Sequence, residues 1–167
     1  MFQINDVIRY GTQGVYRITD ITKKSVGSTK KDYFVLTPVN EKNPTIFAPV
    51  DNAATKQKMR RLLTKEEILR LIDSMPQEDA LWVENENERK ERYKNILAKG
   101  DHVELIQMIK AIYGHQKQRQ AEGKRLHMSD EYFLRDAEQI LYNEFQYVLE
   151  LKNKEDLLQY IFARVEK

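Results

Sequence analysis

Residues able to do chemistry are present in this chain, but their spacing does not assemble a catalyst. The three histidines, His102, His115 and His127, are not placed i, i+4 as helix ligands are. With no cysteine to join them, no metal site is expected, and they read as surface residues. The carboxylates Glu84, Glu86, Glu88 and Glu91 alternate with Arg89, Lys90, Arg92 and Lys94. That pattern suits a solvated, salt-bridged helix face better than a paired acid and base. No glycine-rich phosphate loop, nucleophile elbow or ordered Ser/His/Asp set is present. The expectation is a protein that is not an enzyme and takes no cofactor. What the chain does concentrate, between Trp82 and Arg125, is cations and aromatics: Trp82, Arg89, Arg92 and Tyr93, then Lys117, Arg119, Lys124 and Arg125. Such side chains contact phosphates and bases, or an acidic partner, and the same charges also serve solubility. Trp82, the sole tryptophan, reads either as a wedge against DNA or as a staple fixing a helix start to the core.

The elements that must position these residues fall into two blocks. Val7 to Tyr10, Val15 to Thr22, Asp32 to Pro38 and Thr45 to Val50 are short runs of β-branched and aromatic residues separated by glycines and Asn43-Pro44. They predict a small antiparallel sheet or SH3-like barrel, with Pro49 confining the last strand to an edge or a terminus. After Asp51-Asn52-Ala53 only helices are expected, and Lys56, Lys58, Arg60 and Arg61 read as a basic loop. Thr64-Lys65-Glu66-Glu67 is a capping box that opens a helix closed by Pro76. Further helices are predicted from Trp82 through Leu97, from Asp101, from Ser129 and from Asn153. The fold class is therefore α+β, with a β domain at residues 1–62, an all-α domain at 63–167 and a candidate hinge near 76–80.

The 167 residues include 32% charged, 41% apolar, 4 Pro and 6 Gly, which describes a folded, helix-leaning chain. No apolar run is long enough to span a bilayer, and the N-terminus lacks the pattern of a secretion signal. With no cysteine, a cytoplasmic setting is expected. The net charge of +2 says little about nucleic acid, but its distribution is uneven. Residues 1–75 hold 13 basic and 8 acidic residues, and residues 129–167 hold 9 acidic and 5 basic ones.

Taken in order, Phe2, Asp6, Tyr10, Gly14, Tyr33 to Leu36, Thr45 to Ala53 and Gly100-Asp101 give the chain a resemblance to the CarD/CdnL family of bacterial transcription regulators. The resemblance implies a Tudor-like N-terminal β domain, shared with transcription-repair coupling factor, that binds the RNA polymerase β subunit. It also implies a helical domain that touches promoter DNA, largely without sequence specificity, and so modulates open-complex stability. Lys24, with Lys23 beside it, matches a basic polymerase contact of the family, whereas Phe47 stands where a second basic contact is found. Ile46, Phe47 and Pro49 then serve strand pairing and apolar contact. The family's tryptophan wedge counts back from Gly100 to near Glu86, one helical turn after Trp82. Trp82, Arg89, Lys90, Arg92, Lys94, Lys117, Arg119, Lys124 and Arg125 are the expected DNA contacts. A nucleoid-associated monomer, with no membrane contact, is expected. The alternative is a polymerase-bound adaptor whose helical domain recruits another protein without touching DNA.

Overall fold

A computed structural model describes residues 2–40 and 43–165. The chain divides into two compact units, Met1–Leu62 and Leu63–Lys167. The first contains strands β1 (Val7–Tyr10), β2 (Gly14–Val26), β3 (Thr29–Pro38) and β4 (Ile46–Pro49), a short helix α1 (Ala53–Lys58) and strand β5 (Met59–Arg61). All pairings are antiparallel, in the order β4-β3-β2-β1-β5. β4 and β5 are therefore the two edges of an open sheet, and the expected closed barrel is not formed among the described residues. The β1–β2 turn needs Gly11 at φ +53, and its N–H donates to the Lys58 carbonyl at 2.7 Å. That bond helps to hold β5 against β1.

Two departures from the sequence reading follow from local chemistry. The stretch after Asn52 returns to a strand because Met59 supplies one buried apolar anchor between exposed cations. The composition of Lys56 to Arg61 conceals this, so the expected basic loop is a helix turn and an edge strand. Second, the strands predicted to stop at Thr22 and to begin at Asp32 run on to Val26 and from Thr29, forming a long β2–β3 hairpin. The core lies on one face, where Ile8, Tyr16, Ile18, Leu36 and Ala48 are almost fully buried. Burying each large apolar side chain contributes about 1.5–3 kcal/mol before entropy is counted.

The second unit is α-helical: α2 (Lys65–Ser74), a 3-10 turn (Met75–Gln77), α3 (Glu86–Lys99), α4 (His102–Ala121), α5 (Met128–Val148) and α6 (Lys154–Val165). The Thr64 capping box is complete, with Thr64 Oγ1 accepting from the Glu67 N–H at 3.1 Å and Glu67 Oε1 from the Thr64 N–H at 3.0 Å. Asp101 caps α4 through the Glu104 N–H, and Asn153 caps α6 through the Asp156 N–H. α5 begins one residue ahead of the expected Ser129 start. Leu105, Ile106, Met108, Ile109 and Ile112 bury more than one face of α4, which makes it the central helix of the unit. α3 starts at Glu86, not at Trp82, because the Asn85 side chain caps it by accepting from the Glu88 N–H. Trp82 therefore lies in an irregular strap that precedes the helix. No described helix is long and apolar enough to cross a membrane.

Candidate functional site

In the β unit, sheet register sorts the sequence-identified residues. Ile21 pairs with Phe34 and Phe34 with Ala48, both buried, so these positions face the core. By the same alternation Lys23 and Ile46 belong to the core-side face, Lys23 exposed and Ile46 packed on the core. Lys24, Phe47 and Pro49 belong to the opposite face. There Lys24 Nζ sits 3.4 Å from the centroid of the Phe47 ring, and Phe47 is 46% exposed. An exposed cation–π contact of this kind contributes about 0.5–1 kcal/mol. It holds an apolar ring and a charge together at β4, which among the described residues pairs only with β3. A free strand edge flanked by an aromatic and a cation can pair with an extended segment and select an apolar or acidic partner.

The helical unit places its candidates differently. Arg89 is not a surface cation: it is 3% exposed and bonds Asp130, itself 0% exposed, through Nε to Oδ1 and Nη2 to Oδ2, both at 3.0 Å. Its Nη1 donates to the Val83 and Glu84 carbonyls at 2.9 and 3.3 Å. The expected phosphate contact is thereby corrected, since the guanidinium is used to fasten the strap. Arg89 and Tyr93 lie i, i+4 on the inward face of α3, and the Tyr93 hydroxyl donates to the Leu81 carbonyl at 2.8 Å. Burial, then the charge of Asp130, pushes the Tyr93 phenol up to about 12.

Trp82 is half-buried. The His115 ring stacks on it at 3.9 Å and the Arg89 guanidinium lies 4.3 Å from its centroid. Burial lowers the pKa of His115, with Arg119 and Arg89 adding to the effect and Asp130 and Glu84 opposing it. The strap is also tied from α4, where Lys110 donates to the Met75 and Glu78 carbonyls and the Leu81 N–H bonds the Gln107 carbonyl. Residues 76–80 thus carry internal fastenings within the second unit. Trp82 and Arg92 line one surface depression with Ala80, Leu81, Val83 and Glu88.

The remaining cations lie apart from that depression or are engaged locally. Lys90 pairs with Glu86 at 3.3 Å, which lowers the Glu86 pKa. Lys94 and Lys117 are exposed. Arg119 Nε donates to the Arg125 carbonyl and so shapes the loop from which Lys124 and Arg125 project. His102 bonds Glu144 at 2.8 Å, so neither it nor His115 is the plain surface histidine expected. Sequence reasoning missed the buried pairing of Asp130, the stacking of His115 on Trp82 and the fastening by Lys110. A buried aspartate in the first turn of a helix resembles an ordinary N-terminal acid, so spacing alone gives no signal for it. Among the described residues no group of histidines and carboxylates is arranged to hold a metal ion.

The chain thus combines an edge-exposed β unit with a helical unit bearing scattered cations. Residues 2–63 match the family model described as the CarD-like/TRCF RID domain, a match that supports assigning that part of the chain to this family. The RNA polymerase-interacting domain ties the β unit to polymerase binding and transcription. Residues 64–167 lie outside the match. No curated protein matches the chain.

Proposed function

We propose that the protein is a non-catalytic transcription regulator whose Tudor-like β unit docks on the β subunit of RNA polymerase while its helical unit contacts promoter DNA and alters open-complex lifetime. The observation that carries the polymerase half is the Lys24–Phe47 pair beside the free edge of β4, within a domain of the polymerase-interacting family. A tethered helical unit meets DNA at high effective concentration, so weak intrinsic affinity suffices and the net charge of +2 is no obstacle. Arg92, Lys94, Lys117, Lys124 and Arg125 are exposed cations of the helical unit available for phosphates. Contacts of this kind follow the backbone and give little sequence specificity. The protein acts as a monomer in the cytoplasm.

A second reading, a polymerase-bound adaptor that recruits another protein, is favoured by the 9 acidic against 5 basic residues of positions 129–167. Open-complex lifetime on a promoter with purified bacterial polymerase separates the two. The DNA-contact reading predicts a changed lifetime that Arg92→Ala with Lys94→Ala weakens and added salt weakens further, while polymerase affinity stays constant. An unchanged lifetime in the presence of bound wild-type protein favours the adaptor.

A further inference from the structure

His115 stacks on the half-buried Trp82 indole with Arg89 also against its ring, and Arg89 is committed to Asp130, so the aromatic and guanidinium pair expected to meet DNA is engaged within the unit. A comparable pair stands on the surface elsewhere. On α5, Met128, Tyr132 and Arg135 follow one another at spacings of four and three, opposite the buried stripe of Phe133, Leu134, Ala137 and Leu141. Met128 is 68% and Tyr132 51% exposed, and the Arg135 guanidinium lies 5.2 Å from the Tyr132 ring centroid. Immediately before this helix the loop presents Lys124 and Arg125. Its shape is fixed by the Lys124 N–H donating to the Arg119 carbonyl at 2.8 Å, by Arg119 donating to the Arg125 carbonyl, and by Gly123 at φ +73.

We propose that this ridge, Met128, Tyr132 and Arg135 with Lys124 and Arg125 at its start, is a DNA-contacting surface, in which Tyr132 presents its ring to a sugar or an unstacked base. The inference rests on the DNA reading given above and adds the surface that makes the contact. Its chemistry favours nucleic acid over a protein groove. The ridge has no branched aliphatic residue to fill an apolar pocket, whereas a tyrosine face and a guanidinium plane both stack on bases. The adjoining cations suit phosphates, since Arg125 makes no ion pair among the described residues and Lys124 lies 3.9 Å from a solvent-exposed Glu122. Glu131 and Asp136 flank the ridge and leave its crest to Tyr132 and Arg135.

The test is photocrosslinking of the full chain carrying p-benzoylphenylalanine at position 132 or 92, in polymerase–promoter complexes formed without nucleotides so that no RNA is present. The expected result is a crosslink from position 132 to promoter DNA. With it, Tyr132→Ala with Arg135→Ala should lower affinity for the polymerase–promoter complex about 10-fold. Affinity for polymerase alone should not change, and Tyr132→Phe should keep wild-type binding. These residues are on the surface, so the variants keep the core. A crosslink from position 132 to a polymerase polypeptide overturns the proposal in favour of protein docking. DNA crosslinks from position 92 but not 132 overturn it and leave the DNA reading standing. No DNA crosslink from either position, with polymerase bound, overturns both.

Discussion

Arg89→Ala should be among the most damaging single substitutions in the helical unit, although the sequence places Arg89 in a run that looks solvated. Removing the guanidinium leaves the Asp130 carboxylate, 0% exposed, without its bidentate partner. An orphaned buried charge costs about 3–5 kcal/mol. The Val83 and Glu84 carbonyls also lose their donor, and Trp82 loses the cation over its ring. The terms are not additive, and about 4 kcal/mol is a fair total. With a urea slope of about 1–3 kcal/mol/M, the unfolding midpoint should fall by roughly 2 M. Far-UV circular dichroism follows this unit selectively, because every helix beyond the six-residue α1 belongs to it. Arg89→Met combined with Asp130→Leu should recover most of the loss, since an apolar pair of similar volume needs no desolvated charge. Added salt should change the single-variant loss little, because the pair is shielded from water. A cost below about 1 kcal/mol for Arg89→Ala would refute the buried-pair reasoning.

The stack of His115 on Trp82 makes the sole tryptophan a reporter of that histidine. Burial lowers the imidazole pKa in the fold, so the unfolded chain takes up its proton first as pH falls. This contribution to stability is present above 6.5 and declines as pH drops below it. Tryptophan fluorescence should titrate with a midpoint below 6.5, and His115→Gln should abolish that titration. At alkaline pH the sign reverses for Tyr93, whose raised pKa means that its contribution is complete below pH 10 and is lost as pH rises toward about 12. Phenolate absorbance should show this tyrosine ionising together with loss of helical signal. Thr64→Ala removes the side-chain acceptor of the capping box and should cost about 1 kcal/mol in urea unfolding.

Legibility in the sequence varied with how local the determining physics is. Thr64, Asp101 and Asn153 announced their helices because a cap needs only residues within one turn. Strands β1 to β4 were legible from β-branched and aromatic runs, and Pro49 does end an edge strand. β5 was not, because three residues with two arginines carry no strand pattern and are recruited by pairing with β1. The start of α3 was placed too early, since Trp82 to Glu84 read as helix while Asn85 supplies the cap.

For the site, residue types were legible but their orientation was not. Lys24 and Phe47 were both singled out, yet the 22 residues between them hide that the cation rests on the ring. Arg89 could not be told from Arg92 by composition. Helical phase separates them, and the deciding partner, Asp130, lies 41 positions away. Long-range pairs such as this one and His102 with Glu144 leave no trace in spacing.

The central claim is that the free edge of the β unit docks on polymerase, and the most direct measurement is equilibrium binding of the fluorescently labelled full chain to purified bacterial RNA polymerase, wild type against Phe47→Asp with Lys24→Glu. Both side chains are on the surface, so the variant should keep the β-unit core, and the backbone amide NMR spectrum of β1 to β3 checks that this unit stays folded. Saturable binding by the wild type with a loss of at least about 10-fold in the double variant is the predicted result, since hot-spot aromatics at an interface typically contribute 2 kcal/mol or more. Wild-type protein that does not bind, or a double variant that binds equally well, would contradict the claim.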